Sequence, residues 1–289
     1  MQTLAYWLFR LILATLRYAP LPVAWRLGAG YARLFDRLVP RLRAVALRNL
    51  EIAGMERRPD IVDGVFDSIG RMLVVFSRFP DIHGENIHDW ISYEGLEHYA
   101  EAKRRGKGVL FATAHLGNWE LSAFAHGLMT EPMNVVVRPL DNPRIDELVE
   151  RRRRMSGNRT IEKRDAARGI LKALRANEAV GILVDQNSLP EEGIFIDFFG
   201  VRACANSAFT RIALYSGATV IPGFALWSSE DRRYVLRFYE PLAMSGDLAA
   251  DTQLLHSVIE RVIREYPGQW MWIHRRWKTR PPGEPPLYR

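Results

Sequence analysis

From about residue 91 onward the chain alternates short apolar runs with longer stretches of helical periodicity, and this alternation narrows the fold more than any other feature. Val109 to Ala114, Asn134 to Arg138, Val180 to Asp185, Val220 to Trp227 and Tyr234 to Phe238 read as strands. Trp119 to Met129, Ile145 to Ser156, Asp165 to Ala176, Ser207 to Ser216 and Thr252 to Glu265 read as helices, with Asn206 a cap and Gly217 a stop for one of them. An α/β fold follows, with helices flanking a central mixed or largely parallel sheet and the chemistry where strands end. Ahead of it, Leu4 to Tyr18, Pro22 to Leu38, Arg41 to Ile52 and Pro59 to Phe76 read as helices punctuated by Pro and Gly. Residues 1–80 are expected to form an N-terminal helical, membrane-associating region and residues 81–289 the α/β unit, together one structural unit. At 289 residues and 48% hydrophobic content the chain buries a sizeable core, and no repeat or Gly/Ser linker divides it.

The first apolar strand runs straight into Ala114-His115-Leu116-Gly117-Asn118-Trp119-Glu120, where Gly117 and Asn118 supply turn chemistry and a helix N-cap. A histidine five residues ahead of a carboxylate does not match the spacing of one helix face. Across a strand end, a turn and the first helical turn, however, the same spacing can fold the carboxylate back toward the imidazole. That is the wiring of a base and its orienter: the carboxylate fixes the tautomer while the other ring nitrogen takes a proton. No serine or cysteine is placed there as a nucleophile, so the implied reaction is direct attack of a substrate hydroxyl on an activated carbonyl. The competing reading is a strand-end histidine and an ordinary first-turn acid favoured by the helix dipole.

The formal charge of +7 and pI near 9.7 favour anionic partners: an anionic lipid surface, an acidic protein or nucleic acid. Nothing resembles a zinc finger, an RNA-binding ribonucleoprotein motif or a helix-turn-helix, so nucleic acid is set aside. The single cysteine, Cys204, excludes an internal disulfide framework and any cysteine metal cluster, and is read as structural. Basic residues gather at Arg151-Arg152-Arg153-Arg154, read either as a docking surface or as a solvated helix face, and at Arg275, Arg276, Lys278 and Arg280. Leu4 to Trp25 is rich in Leu, Tyr, Trp and Phe, but Arg10 and Arg17 interrupt it and Pro20 and Pro22 break it. A spanning helix needs about 20 mostly apolar residues, so an interfacial helix with Tyr6, Trp7, Phe9 and Tyr18 near the headgroups fits better.

The block around His115 resembles the first signature of the glycerolipid-type acyltransferases, in the branch that acylates lipid A and related bacterial glycolipids. Val135-Val136-Val137-Arg138-Pro139 and Val184-Asp185-Gln186-Asn187 followed by Ile196-Asp197-Phe198-Phe199-Gly200 resemble the second and third blocks. Gly217-Ala218-Thr219-Val220-Ile221-Pro222-Gly223 resembles the fourth, and Gln269-Trp270-Met271-Trp272-Ile273-His274-Arg275-Arg276-Trp277-Lys278 the C-terminal segment. The resemblance covers most of the chain and departs from the wider superfamily in carrying Glu120 where an aspartate is more usual; the N-terminus is also shorter than in members with a clear spanning anchor.

The resemblance implies transfer of a fatty acyl chain from a thioester, on acyl carrier protein or coenzyme A, to a hydroxyl of a lipid A precursor at the cytoplasmic face of the inner membrane. No metal or bound cofactor is called for. His115 is the expected base and Glu120 its orienter; backbone N–H groups near Gly117 and Asn118 are candidate oxyanion donors. Arg138, Asp185, Gln186 and Asn118 are expected to line the substrate pocket, with Asp185 available to pair with Arg138, and Phe198 and Phe199 to wall an acyl pocket. His274 is read as structural or acceptor-binding, and the tryptophans about it as suited to a membrane interface. Acylation of another glycolipid such as a phosphatidylinositol mannoside, or a catalytically silent lipid-binding module, are the alternatives.

Overall fold

The computed structural model describes residues 2–164 and 166–288. Four helices come first: α1 (Gln2–Tyr18), α2 (Leu21–Leu38), α3 (Pro40–Ile52) and α4 (Pro59–Ser77). The last three each open with proline near the first helical position, where a missing N–H costs nothing. Gly28 and Gly70 bring α2 and α4 together so closely that a Cβ on Gly28 would lie 2.8 Å from the Gly70 carbonyl oxygen.

The α/β unit follows as β1 (Ile91–Glu94), α5 (Leu96–Arg104), β2 (Val109–Thr113), α6 (Trp119–Met129), β3 (Asn134–Val137), α7 (Pro143–Arg153), β4 (Arg159–Glu162) and α8 (Ala166–Arg175). Then come β5 (Ala179–Leu183), β6 (Gly193–Phe198), β7 (Val201–Asn206), α9 (Ala208–Ser216), β8 (Thr219–Ser228), β9 (Arg233–Phe238) and α10 (Leu248–Glu265). Seven strands make one sheet in the order β1-β9-β8-β2-β5-β3-β4, and β6 and β7 pair separately as an antiparallel hairpin. All neighbours in the large sheet run parallel except β8 and β9, which gives the expected mixed sheet.

Side chains alternate across the strands and divide the core. Val109 and Phe111 pack with Leu121 and Phe124 of α6, Val149 of α7, Tyr99 of α5 and Leu13 of α1. Leu110 and Ala112 pack on the other face with Ile170 and Leu174 of α8, Ile212 of α9 and Ile259 of α10. Helix α4 reaches both cores, through Val62 and Phe66 to one and Val75 and Phe76 to the other.

Four strands escaped the sequence reading: β1, β4, β6 and β7. β4 is a short, polar edge strand whose Arg159 and Glu162 are exposed, and β6 with β7 lies in the stretch between the strand read to Asp185 and the helix read from Ser207. α10 starts at Leu248 rather than Thr252 because Asp247 caps it through the Ala250 amide. On α1, Leu4, Trp7, Leu8 and Leu11 form an exposed apolar strip, with Arg10 lying over the Tyr6 and Trp7 rings. Arg17 instead turns inward as a bidentate partner of Asp81, at 2.7 and 2.9 Å. No helix among the described residues is long and apolar enough to cross a membrane.

Candidate active site

The neighbouring parallel strands β2 and β5 end side by side, and each delivers a polar residue at its carboxyl end: His115 from β2 and Asp185 from β5. The connections leave on opposite faces of the sheet: α6, which follows β2, packs into the core of Val109 and Phe111, whereas α9, reached from β5, packs into that of Leu110 and Ala112. Such a switch point is where open α/β sheets gather ligands. The His115 turn depends on Gly117, which has φ of +65° and where a Cβ would lie 2.0 Å from the Ala225 carbonyl oxygen.

Asp185 is buried and accepts three hydrogen bonds: from His115 Nδ1 at 2.9 Å, from the His115 backbone N–H at 3.0 Å, and from the Trp270 indole at 2.8 Å. A carboxylate only accepts, so Nδ1 carries the hydrogen and Nε2 presents its lone pair. The imidazole retains 17% exposure, its edge set against the Trp119 ring at 5.0 Å. Burial by itself depresses the His115 pKa, but the charge and hydrogen bond of Asp185, with a smaller contribution from Glu120, carry it above its ordinary value. Burial likewise pushes Asp185 up, and is outweighed by His115 and Trp270, which hold it well below the usual carboxylate range. The two groups therefore favour the ion pair over two neutral partners.

Both expected partnerships of the acids are corrected. Nδ1 of His115 is oriented by Asp185, not Glu120. Glu120 opens α6 and turns toward α7, where Arg153 takes both its oxygens at 2.6 and 2.9 Å while also donating to Glu150 at 3.1 Å. Arg138 does not pair with Asp185: it stands past the end of β3 with an 80% exposed side chain, 3.9 Å from Asp141. Asp185 is buried and already engaged by three donors, and β3 lies one strand beyond β5.

The oxyanion donors expected at Gly117 and Asn118 are also corrected, because those amides donate to the carbonyls of Gln269 and Ala225, each at 2.9 Å. Asn118 is fully buried and caps α6 through the Leu121 amide at 3.0 Å, a structural task rather than substrate contact. Gln186 is exposed, with Nε2 3.5 Å from His115 Nε2. Phe198 and Phe199 wall no acyl pocket. Both are buried, packing edge-on to each other and against Trp270 and Trp277. A narrow apolar crevice lies elsewhere, between Val65, Ile69 and Met72 of α4 and the His115 turn at Gly117 and Trp119, with Met271 beside them.

The C-terminal segment is what sequence reasoning underestimated. Trp270, Trp272 and Trp277 are at most 2% exposed, so they are core rather than interfacial residues. The Gln269 carbonyl accepts from Gly117 and the Met271 amide donates to the His115 carbonyl, lacing the segment to the β2 turn. Gln269 also straps Trp227 of β8 through its side chain, at 2.8 and 3.1 Å. On the β5 side, His274 Nε2 accepts from the Asn187 amide at 3.0 Å, and the Asn187 side chain exchanges hydrogen bonds with Thr279. Burial, aided by the Arg276 charge, lowers the His274 pKa to about 4, which keeps its ring neutral as that acceptor. His256 lies beneath the same loop, its ring nitrogens 2.9 Å from the Thr252 carbonyl and 3.2 Å from that of Val184. The alternation of Trp with Gln and His was visible in the sequence, but its partners lie far off along the chain, in the His115 turn and, 87 residues from His274, at Asn187.

A strand-end histidine whose Nδ1 is held by a buried carboxylate, leaving Nε2 as an acceptor, is an arrangement able to move a proton. Residues 1–279 match the model of the bacterial lipid A biosynthesis acyltransferase family, and the chain belongs to that family. It is 32% identical to the lipid A biosynthesis lauroyltransferase of Escherichia coli (strain K12), over 98% of this chain and 95% of the relative. The palmitoleoyltransferase of lipid A biosynthesis from the same organism is 31% identical, over 93% of this chain and 89% of the relative. The corresponding myristoyltransferase is 26% identical, over 91% and 82%.

Proposed function

We propose that this enzyme transfers a fatty acyl chain from the thioester of an acyl carrier protein to a hydroxyl of a lipid A precursor, with His115 as general base. The observation that carries the reading is the His115–Asp185 pair, which fixes one ring nitrogen as donor and leaves the other as acceptor beside the exposed Gln186 amide. The acceptor hydroxyl gives its proton to Nε2 as its oxygen attacks the thioester carbonyl. The new C–O bond forms, the C–S bond of the tetrahedral intermediate breaks, and the departing thiolate takes the proton from the imidazolium. Asp185 stabilises that imidazolium, and Glu120 adds a weaker favourable field from its seat on Arg153. The Gln186 amide beside Nε2 is a side-chain donor available to the oxyanion.

The apolar strip of α1 meets the lipid surface at the cytoplasmic face of the inner membrane, with Arg10 at its polar edge. Mixing purified protein with an under-acylated lipid A precursor and lauroyl-acyl carrier protein should give a lipid heavier by one acyl group by mass spectrometry. The His115→Ala protein, folded by circular dichroism, should lose that product by roughly 10²–10⁴-fold in rate. Unchanged turnover in that variant contradicts the base assignment, and absence of any product with the wild type favours a silent lipid-binding module.

A further inference from the structure

We propose that the exposed face of α8, with the turn that precedes it, is the docking surface for the soluble acidic protein that presents the acyl thioester. Arg168, Lys172 and Arg175 fall at helical spacings of four and three, on the side opposite the buried Ile170, Ala173 and Leu174. Lys163 and Arg164 extend this row through the turn, and all five basic side chains belong to exposed residues. None of them forms an ion pair with a carboxylate among the described residues, outside which Asp165, between Arg164 and Arg168, lies. A row of basic side chains on one face of a helix is suited to an acidic helix of a partner, and steers its approach.

Two further observations choose the occupant. The run Arg151 to Arg154, the more conspicuous basic cluster in the sequence, is half spent internally. Arg153 holds Glu120 and Glu150, and Arg152 donates to the Phe76 carbonyl. The α8 row also lies on the face of the sheet away from α1: Ile170 and Leu174 join one core, while Leu13 of α1 joins the other. A membrane engaged by the apolar strip of α1 therefore leaves α8 turned to solution, which favours a soluble protein over anionic lipid. The position suits delivery. Lys163 and Arg164 follow the end of β4, three strand spacings from β2 and so about 14 Å across the sheet from the His115 strand. That span is within reach of a flexible thioester-bearing arm.

The inference rests on the acyl carrier donor proposed above, and the test separates the two. Kinetics would compare wild type with Arg164→Glu/Arg168→Glu/Lys172→Glu, and with Arg151→Glu/Arg154→Glu as control, using lauroyl-acyl carrier protein and lauroyl-coenzyme A. The α8 variant should raise KM for the carrier-bound donor by about tenfold with kcat within about twofold, flatten its salt dependence, and leave KM for the coenzyme A thioester unchanged. Fluorescence anisotropy of labelled holo-carrier should show the same loss of affinity independently of turnover. A wild type that binds no holo-carrier and prefers lauroyl-coenzyme A overturns the donor reading and this surface with it. A wild type that prefers the carrier, with KM unmoved by the α8 changes or moved only by the control, overturns the surface alone. Loss of binding to phosphatidylglycerol vesicles in the α8 variant, with carrier affinity intact, assigns the row to lipid and refutes the proposal.

Discussion

Two strand ends that look alike in sequence come to opposite fates. Leu110-Phe111-Ala112 leads to His115, and Val135-Val136-Val137 leads to Arg138, each an apolar run ending in a polar residue that an α/β fold would aim at a ligand. His115 is held on three sides, by Asp185 from β5, by the Met271 amide and by the Trp119 ring, whereas Arg138 projects into solvent. The difference lies in what covers each end. β2 and β5 are central and the C-terminal segment folds over them, while β3 lies next to the edge strand β4 and receives no such cover. A strand end becomes a site when a distant segment closes over it and saturates its polar groups.

The comparison breaks most visibly at the covered end. His115→Ala and Asp185→Asn should each lower kcat by roughly 10²–10⁴-fold, and a milder loss from Asp185→Asn than from Glu120→Gln, in steady-state assays of folded protein, would return the orienting role to Glu120. Next comes Arg153→Ala, which leaves Glu120 and Glu150 with 14% and 18% exposure and no bidentate partner. Denaturant unfolding should show a loss of about 3–5 kcal/mol, the usual cost of stripping one partner from a buried charge pair. Arg152→Ala removes the donor to the Phe76 carbonyl and should cost about 1–3 kcal/mol by the same measurement. Smallest is Arg138→Ala, with stability within about 0.5 kcal/mol of wild type and unaltered kcat/KM. A large effect there would show that substrate recruits this arginine and would erase the contrast between the two strand ends.

The ion pair also separates stability from activity along the pH axis. The His115 pKa is raised from 6.5, so its contribution to stability is fully present below that value and fades as pH rises through the higher folded value. The Asp185 pKa is depressed from 3.8, so its contribution is present above that value and fades as pH falls through the lower folded one. Together they place the pair's stabilising window between the two unfolded values, while His115 as the proposed base needs a neutral imidazole and would work on the alkaline side of its raised pKa. Thermal unfolding and initial rates, measured across the same buffers, should peak apart.

Much of this was legible along the chain because it is local. Apolar runs, prolines at helix starts and the Asn118 cap lie within a few residues of the elements they set, and His115 and Asp185 were both recognisable as strand-end residues. Their mutual contact was not, since it depends on β2 and β5 being neighbours although β3, β4 and three helices intervene in sequence. Glu120 drew attention by lying five residues from His115, but a side chain in the first turn of α6 is available to α7, and Arg153 claimed it. The arginine run read as one surface because sequence does not show that successive helical residues face different sides; Arg152 and Arg153 point inward, Arg151 and Arg154 outward. Trp270 was misjudged because an amphipathic indole suits an interface and a buried carboxylate equally well.

The central claim is that Asp185, rather than Glu120, sets the state of the His115 imidazole, and the most direct test is an NMR titration of that ring. Selectively labelled wild type should titrate above the ordinary 6.5, with the neutral ring carrying its hydrogen on Nδ1. Asp185→Asn should lower the midpoint markedly and Glu120→Gln only slightly. A larger fall with Glu120→Gln, or a neutral ring protonated on Nε2, would contradict the account.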